Sequence, residues 1–366
     1  MSDTISEKKG DSRFAKFFLR ITIDEQILFA RHLAVMAKAG LQLIESLKLI
    51  RKETKSRSMA KILDQLIMDV NNGQFLSASL ERFQNIFGRM FINIIRVGES
   101  AGILSENLNY LADELRKKRE LKSKVVGALI YPAVIFCATF GITGLLLVFI
   151  FPKILPVFAS LNIVLPASTR ALIWISNALT NYGLAIGAGA AALVVVLVLL
   201  LRIQKIKYFF HAVILKIPIF GKIFRNVNLA NFCRTLGLTL KSGIKVVEAI
   251  TITAQSLSNL VYQKTLLDMA DEVRRGGAIA PYLVKKHHLF PIIVSQMVSV
   301  GETAGNLSET LLYLADFYEG EVNEATKNLS TVLEPFLMVM MGVMVGFMAL
   351  SIITPIYEVS QNVGNR

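Results

Sequence analysis

Between Val125 and Phe151 the chain carries no charged residue, and none occurs from Gly183 to Leu201. A third apolar stretch runs from about Val332 to Thr354, with Glu334 at its edge and no further charge until Glu358. A helix of about 20 apolar residues crosses the roughly 30 Å hydrocarbon core of a bilayer. Inside that core every backbone N–H and C=O must be satisfied within the segment, so each stretch is expected to be a transmembrane helix. Composition agrees: 53% of residues are hydrophobic and 18% charged, and the mean hydropathy is +0.52. These values argue against an ordinary soluble enzyme and against a disordered chain. The apolar stretches also lack the ionisable groups that mark ion or proton paths. That weighs against a polytopic transporter or channel subunit, the alternative reading.

Lys and Arg total 40 against 27 Asp and Glu, a net charge of +13. Arg116, Lys117, Lys118, Arg119, Lys122 and Lys124 precede the first span; Arg202, Lys205, Lys207, Lys216, Lys222 and Arg225 follow the second. The connection between them carries only Lys153 and Arg170. The positive-inside rule then places the N-terminus in the cytoplasm and that connection outside. The basic excess is accounted for by topology beside an anionic lipid bilayer, and no direct nucleic-acid partner is expected. The expected organisation is an N-terminal cytoplasmic arm (1–22), a first cytoplasmic domain (23–124), a span (125–151), a short external loop (152–182), a second span (183–201), a second cytoplasmic domain (202–331), a third span (332–355) and an external tail (356–366). The polar start, Met1 to Asp11, has no apolar core and does not read as a cleaved signal peptide. Phe14 to Arg20 mixes bases with aromatics and reads as an arm for the membrane surface or a partner. Cys137 and Cys233 imply neither a disulfide framework nor a zinc site.

The two cytoplasmic segments are copies. Val97-Gly98-Glu99-Ser100-Ala101-Gly102 recurs as Val300-Gly301-Glu302-Thr303-Ala304-Gly305. The same register pairs Phe29 with Phe232, Arg31 with Arg234, Lys38 with Lys241, Gly40 with Gly243, Phe87 with Phe290, and Tyr110-Leu111-Ala112-Asp113 with Tyr313-Leu314-Ala315-Asp316. It reaches the spans, pairing Pro132 with Pro335 and Pro152 with Pro355. A period this long is a duplicated domain, not a solenoid. The second span lies between the copies and returns the chain to the cytoplasm. Leu108, Leu111, Ala112 and Leu115 fall at helical spacing, as do their second-copy partners, and period-two alternation is scarce. The expected fold is therefore an all-α membrane protein: two homologous cytoplasmic helix bundles and three transmembrane helices.

Gly98-Glu99-Ser100-Ala101-Gly102 matches the G-x-S-x-G pattern of a serine-hydrolase elbow. That elbow needs a strand–turn–helix setting, and the second copy has Thr303 at the nucleophile position. The better reading is a tight turn between helices, with Gly98, Gly102, Gly301 and Gly305 relieving steric limits. Glu99 and Glu302 suit pairing with a base, capping a neighbouring helix, cation binding or partner contact. Ser105 and Ser308 are expected as N-caps. Gly40 and Gly243 read as turns of helical hairpins. His287-His288 is a weak metal candidate without further ligands. No P-loop pattern and no H-E-x-x-H pattern occurs. Gly183-x-x-x-Gly187 and Gly342-x-x-x-Gly346 suit close helix packing, within a subunit or in self-association. Pro132 and Pro335 are expected to bend the cytoplasmic ends of their spans.

Two helical domains, each carrying V-G-E-[ST]-A-G then L-[ST]-E-x-L-x-Y-L-A-D, with three spans so arranged, resemble the type II secretion F family. The resemblance extends from about Ile23 to Pro355. It implies a non-enzymatic platform protein of the bacterial inner membrane, serving type II secretion or type IV pilus assembly. The partners it implies are a hexameric assembly ATPase, pilins or pseudopilins, other inner-membrane assembly components, and further copies of the chain as a homo-oligomer. Cation binding by domain carboxylates in some members is not carried over to any residue here. No catalytic residue, cofactor or metal is expected.

Overall fold

The computed structural model of the chain describes residues 19–159 and 166–364, and those residues are helical, with no strand among them. They form two compact units. One collects the chain up to Ser123 together with His211–Val322; the other collects Lys124–Phe210 and the chain from Asn323 onward. The expected arm lies largely outside the described residues, Phe14 to Phe18 included.

The first unit holds both copies of the repeat. The first copy is α1 (Ile23–Lys38), α2 (Leu43–Glu53), α3 (Arg57–Asn71), α4 (Leu76–Glu81), α5 (Gln84–Ala101) and the start of α6 (Leu104–Leu145). A π-helical turn (Leu146–Ile150), α7 (Phe151–Ala159), α8 (Ala167–Leu200) and α9 (Gln204–Ile214) follow. The second copy is α10 (Pro218–Lys241), α11 (Val246–Ser256), α12 (Leu260–Arg274), α13 (Ile279–Lys285), α14 (Ile292–Ala304) and the start of α15 (Leu307–Gly364).

Local chemistry explains where these helices start. Thr22 and Glu25 form a reciprocal capping box on α1, with Asp24 and Glu25 in its positive first turn. Ser56 caps α3 by accepting from the Met59 N–H, and its repeat partner Asn259 caps α12 by accepting from Val261 and Tyr262. The expected Ser105 cap is corrected: α6 already begins at Leu104, and the Ser105 hydroxyl donates to the Ala34 carbonyl at 3.0 Å. A serine within the first turn, past the cap position, is free to bond a neighbouring element in this way. In the second copy Asn306 takes the cap position, its carbonyl accepting from the Thr310 N–H at 3.2 Å; α15 starts at Leu307, ahead of Ser308.

Each copy buries an aromatic cluster at equivalent positions. Phe29 and Phe87 have ring centroids 5.9 Å apart, and their partners Phe232 and Phe290 are 5.2 Å apart. Phe91 completes the first cluster and Tyr262 the second, where the Tyr262 hydroxyl donates to the Leu289 carbonyl at 2.9 Å. Burying such a side chain contributes about 1.5–3 kcal/mol relative to leaving it in water. Tyrosine at a buried position needs the partner that Leu289 supplies.

The second unit contains three helices long and apolar enough to cross a membrane, within Leu104–Pro156, Ala167–Leu200 and Leu307–Pro355. Both ends of the segment expected as an external loop are helical: α7 runs to Ala159, and α8 begins at Ala167, well before Gly183. Hydropathy marks the part of a helix that suits lipid, not the turns that extend beyond it. The start of α8 packs on the ends of the other two apolar helices in a core of its own, in which Leu147, Phe151 and Leu172 are buried and Met348 and Ile352 pack on them. The Thr169 hydroxyl donates to the Ser351 carbonyl at 2.8 Å and the Ser176 hydroxyl to the Leu147 carbonyl at 2.6 Å. The π-helical turn ends two residues before Pro152, which has no N–H to offer an α-helical ladder. Pro132 and Pro335 lie inside continuous helices.

Candidate functional site

The duplicated V-G-E-[ST]-A-G segment forms the same joint in both copies. In the first, α5 ends at Ala101, Gly102 adopts the left-handed conformation at φ 73°, and α6 starts two residues later. Gly305 does the same at φ 72° between α14 and α15. A side chain in that conformation meets its own backbone, so glycine is the residue that turns there without strain. Gly98 has a different job. A Cβ on it would lie 3.0 Å from the Leu104 Cα and 3.2 Å from the Asn107 Cβ, so its bare backbone lets α5 and α6 touch. Gly301 stands equally close to Leu307 and Thr310. Gly40 and Gly243 turn their hairpins at φ 79° and 85°.

The carboxylate of the motif caps a neighbouring helix. Glu99 accepts from the Leu76 and Ser77 N–H groups at 2.6 and 2.9 Å, at the N-terminus of α4. Glu302 accepts from Ile279 and Ala280 at 2.8 and 2.9 Å, at the N-terminus of α13. Those N–H groups have no partner within their own helix, and the positive end of the dipole favours the charge. The Ser100 hydroxyl donates to the Arg96 and Val97 carbonyls at 2.9 and 3.1 Å, and the Thr303 hydroxyl to Ser299 at 2.8 Å. All three bonds stay in the parent helix, unlike the exposed nucleophile of a hydrolase elbow. His287 and His288 are exposed, and no group of three or more His, Cys, Asp or Glu suited to a metal ion occurs among the described residues.

The glycines of the spans behave otherwise. A Cβ at Gly183, Gly187, Gly342 or Gly346 would meet nothing within 4 Å. No other part of the described chain stands within that distance of these four positions.

The copies meet along a polar seam that residue-by-residue reading did not single out. Helices α10 and α11 of the second copy pack against α5 of the first. Lys241 Nζ stands 5.2 Å from the centre of the Tyr110 ring, and Arg89 donates to Gln255 at 2.9 Å. Arg31 donates to Asp113 at 2.5 Å, and its repeat partner Arg234 to Asp316 at 2.7 Å. Arg234 is buried and gathers more charge: Glu319 at 2.6 Å and, from the first copy, Glu114 at 3.7 Å. Lys117 reaches across to Asp316 at 2.8 Å. Burial pushes Glu114 up to about 7, against the pull of Arg234. Asp316 is held below the usual carboxylate range: partial burial opposes this, and hydrogen bonds from Lys117 and Arg234 outweigh it. The signal was present in the sequence as an Arg and an Asp that both repeat, on helices otherwise apolar toward the core.

Comparison with known proteins addresses what this arrangement belongs to. The pattern described as "Type II secretion system (T2SS), protein F" matches residues 29–152 and again residues 232–355. The chain belongs to the type II secretion F family. Each match takes in one aromatic cluster, one glycine–glutamate joint and the long helix that follows it. Relatives within the family carry two kinds of name. The type IV pilus assembly protein PilC of Thermus thermophilus is 33% identical over 91% of this chain and 82% of its own length. The type IV pilus assembly protein TapC of Aeromonas hydrophila is 31% identical over 98% of this chain and 86% of its own. The type II secretion system protein F of Aeromonas hydrophila is 29% identical over 98% and 92%, respectively.

Proposed function

We infer that this chain is a membrane platform protein for type IV pilus assembly or type II secretion. The observation that carries the reading is the family match in both copies, each covering one helical bundle and one long apolar helix. Its role is structural, not catalytic: the motif residues Glu99 and Glu302 are spent on helix caps and the motif hydroxyls on their own helices. The basic flanks of the apolar stretches support a cytoplasmic N-terminus and an inner-membrane location. On that topology both copies face the cytoplasm, where they dock a hexameric assembly ATPase, while the uncharged spans lie beside pilin or pseudopilin helices. The domain limits given above from sequence belong to the same proposal, with the helices α7 and α8 extending into the external connection. Affinity purification of the full chain from membranes tests it. The assembly ATPase and pilins should co-purify, and their absence from a chain that retains its fold would count against the reading.

A further inference from the structure

Helix α9 (Gln204–Ile214) has no counterpart in the repeat. In the duplication register its partners are Met1 to Asp11, a polar stretch with Asp3, Glu7 and Asp11, and both family matches leave α9 out. Its apolar residues Ile206, Phe209, Phe210 and Val213 stand at i, i+3, i+4 and i+7, one face of a helix. That face is uncovered: Phe209 is 70% exposed and Phe210 47% exposed. The opposite face is docked. His211 Nδ1 accepts from the Leu260 N–H at 3.0 Å, at the start of α12, and Leu215, one residue past the helix, is buried. Successive residues lie about 100° apart around a helix, so Lys205 and Lys207 flank Ile206 on the two borders of the apolar face. Both are exposed, as is Lys216 further on. No Asp or Glu occurs anywhere between Glu120 and Glu248.

The place of α9 in the chain limits what can cover this face. The charge-free run of the second span ends at Leu201, and the chain from there to Gln204 reaches at most about 10 Å. The headgroup layer on each side of a bilayer is about 5–8 Å deep. Helix α9 therefore starts in or against that layer. With 11 residues it is about 16 Å long, too short to recross about 30 Å of hydrocarbon. We propose that α9 lies in the plane of the membrane surface and binds anionic phospholipid: Ile206, Phe209, Phe210 and Val213 enter the acyl boundary, and the ammonium groups of Lys205 and Lys207 reach the lipid phosphates. An apolar face bordered by lysines is the pattern of an interfacial helix, and the lysine stems bridge the two depths. The preference for basic cytoplasmic flanks accounts for lysines near a span, but not for phenylalanines held in register between them. With no acidic residue along this part of the chain, nothing local in sequence repels an anionic surface. Through His211 the helix links that surface to α12 of the second copy. The inference rests on the second span crossing a membrane and is indifferent to which fibre or secretion system the chain serves.

Fluorescence of the full chain in vesicles tests it. Trp174→Phe removes the single tryptophan, and Phe209→Trp places a reporter on the apolar face. The vesicles mix phosphatidylcholine with phosphatidylglycerol, and one or the other carries bromine on its acyl chains, which quenches only a tryptophan close to them. The reporter should be shielded from acrylamide in the water and quenched by both lipids, more strongly by brominated phosphatidylglycerol. Lys205→Gln with Lys207→Gln should lower that preference, by about fivefold per lysine, and leave the circular dichroism unchanged. A reporter open to acrylamide and unquenched by either lipid would overturn the proposal. So would one shielded from acrylamide yet unquenched, because a protein surface would then cover the face. Equal quenching by the two lipids, unmoved by the lysine changes, would overturn it as well, because the surface would then not select anionic lipid.

Discussion

Arg234 and Glu114 face each other across the seam between the two copies, the guanidinium Nε 3.7 Å from a carboxylate oxygen that accepts no hydrogen bond. An ion taken out of water is repaid only by close pairing and full hydrogen bonding, and Glu114 has neither. It is the first copy's side chain, held where the second copy's packing removes its water.

The consequence is a pH dependence of stability. Burial holds the Glu114 carboxyl at about 7 in the folded chain, against an ordinary value of 4.5. A carboxyl raised on folding binds its proton more tightly in the folded state. Its contribution is therefore fully present below the unfolded value and is lost as pH rises through the folded one. Relative to Glu114→Gln, which cannot ionise, the native chain should lose roughly 3 kcal/mol between about pH 4.5 and 7. Thermal unfolding of the full chain in detergent at the two ends of that window measures it. Parallel shifts in both proteins would contradict the assignment.

Valine at Gly98 should be severely destabilising, because its Cβ alone would stand 3.0 Å from the Leu104 Cα, a backbone atom that cannot yield. Overpacking of this kind costs about 1–3 kcal/mol or more. Gly98→Val and Gly301→Val should each lower the unfolding midpoint and impair fibre assembly together. Unchanged assembly with both replaced would remove the structural account of the motif.

Gly102→Asn should be milder than Gly102→Val. The position needs φ near 73°, which asparagine tolerates and a β-branched residue does not. The difference is about 1–2 kcal/mol and is read from denaturant midpoints of the two variants.

Glu99→Ala should destabilise by about 1.5–3 kcal/mol, since it strips a charged acceptor from two N–H groups at the start of α4. Lys117→Ala should cost under about 1 kcal/mol, because its ion pair with Asp316 is solvent-exposed. Equal effects in an unfolding series would contradict this ordering.

Much of the fold could be read from the sequence because the duplication is ungapped. Each repeated glycine, proline and aromatic could be checked against its partner, and Phe29 with Phe87 packs as Phe232 with Phe290 does. What the repeat obscured was asymmetry. Identical faces suggest identical environments, yet Val35 is exposed and Leu238 covered, since packing between copies uses each face once. The capping role of Glu99 was one of four open readings, because its partners lie more than twenty positions upstream and no local pattern joins them. Gly88 turns the chain at φ 81° where the second copy uses Pro291 at φ −54°, so two unlike residues perform one task and register alone does not pair them. The helical ends of the 152–182 segment were missed because Lys153, Arg170 and the polar residues beside them end the uncharged runs before the helices end.

The platform role is tested most directly by deleting the gene and assaying sheared surface pilin and culture-supernatant enzymes in the same cells. Loss of surface fibres, or retention of exoproteins inside the cell, restored by the intact chain, is the result predicted. Normal fibres together with normal secretion in the deletion strain would contradict it.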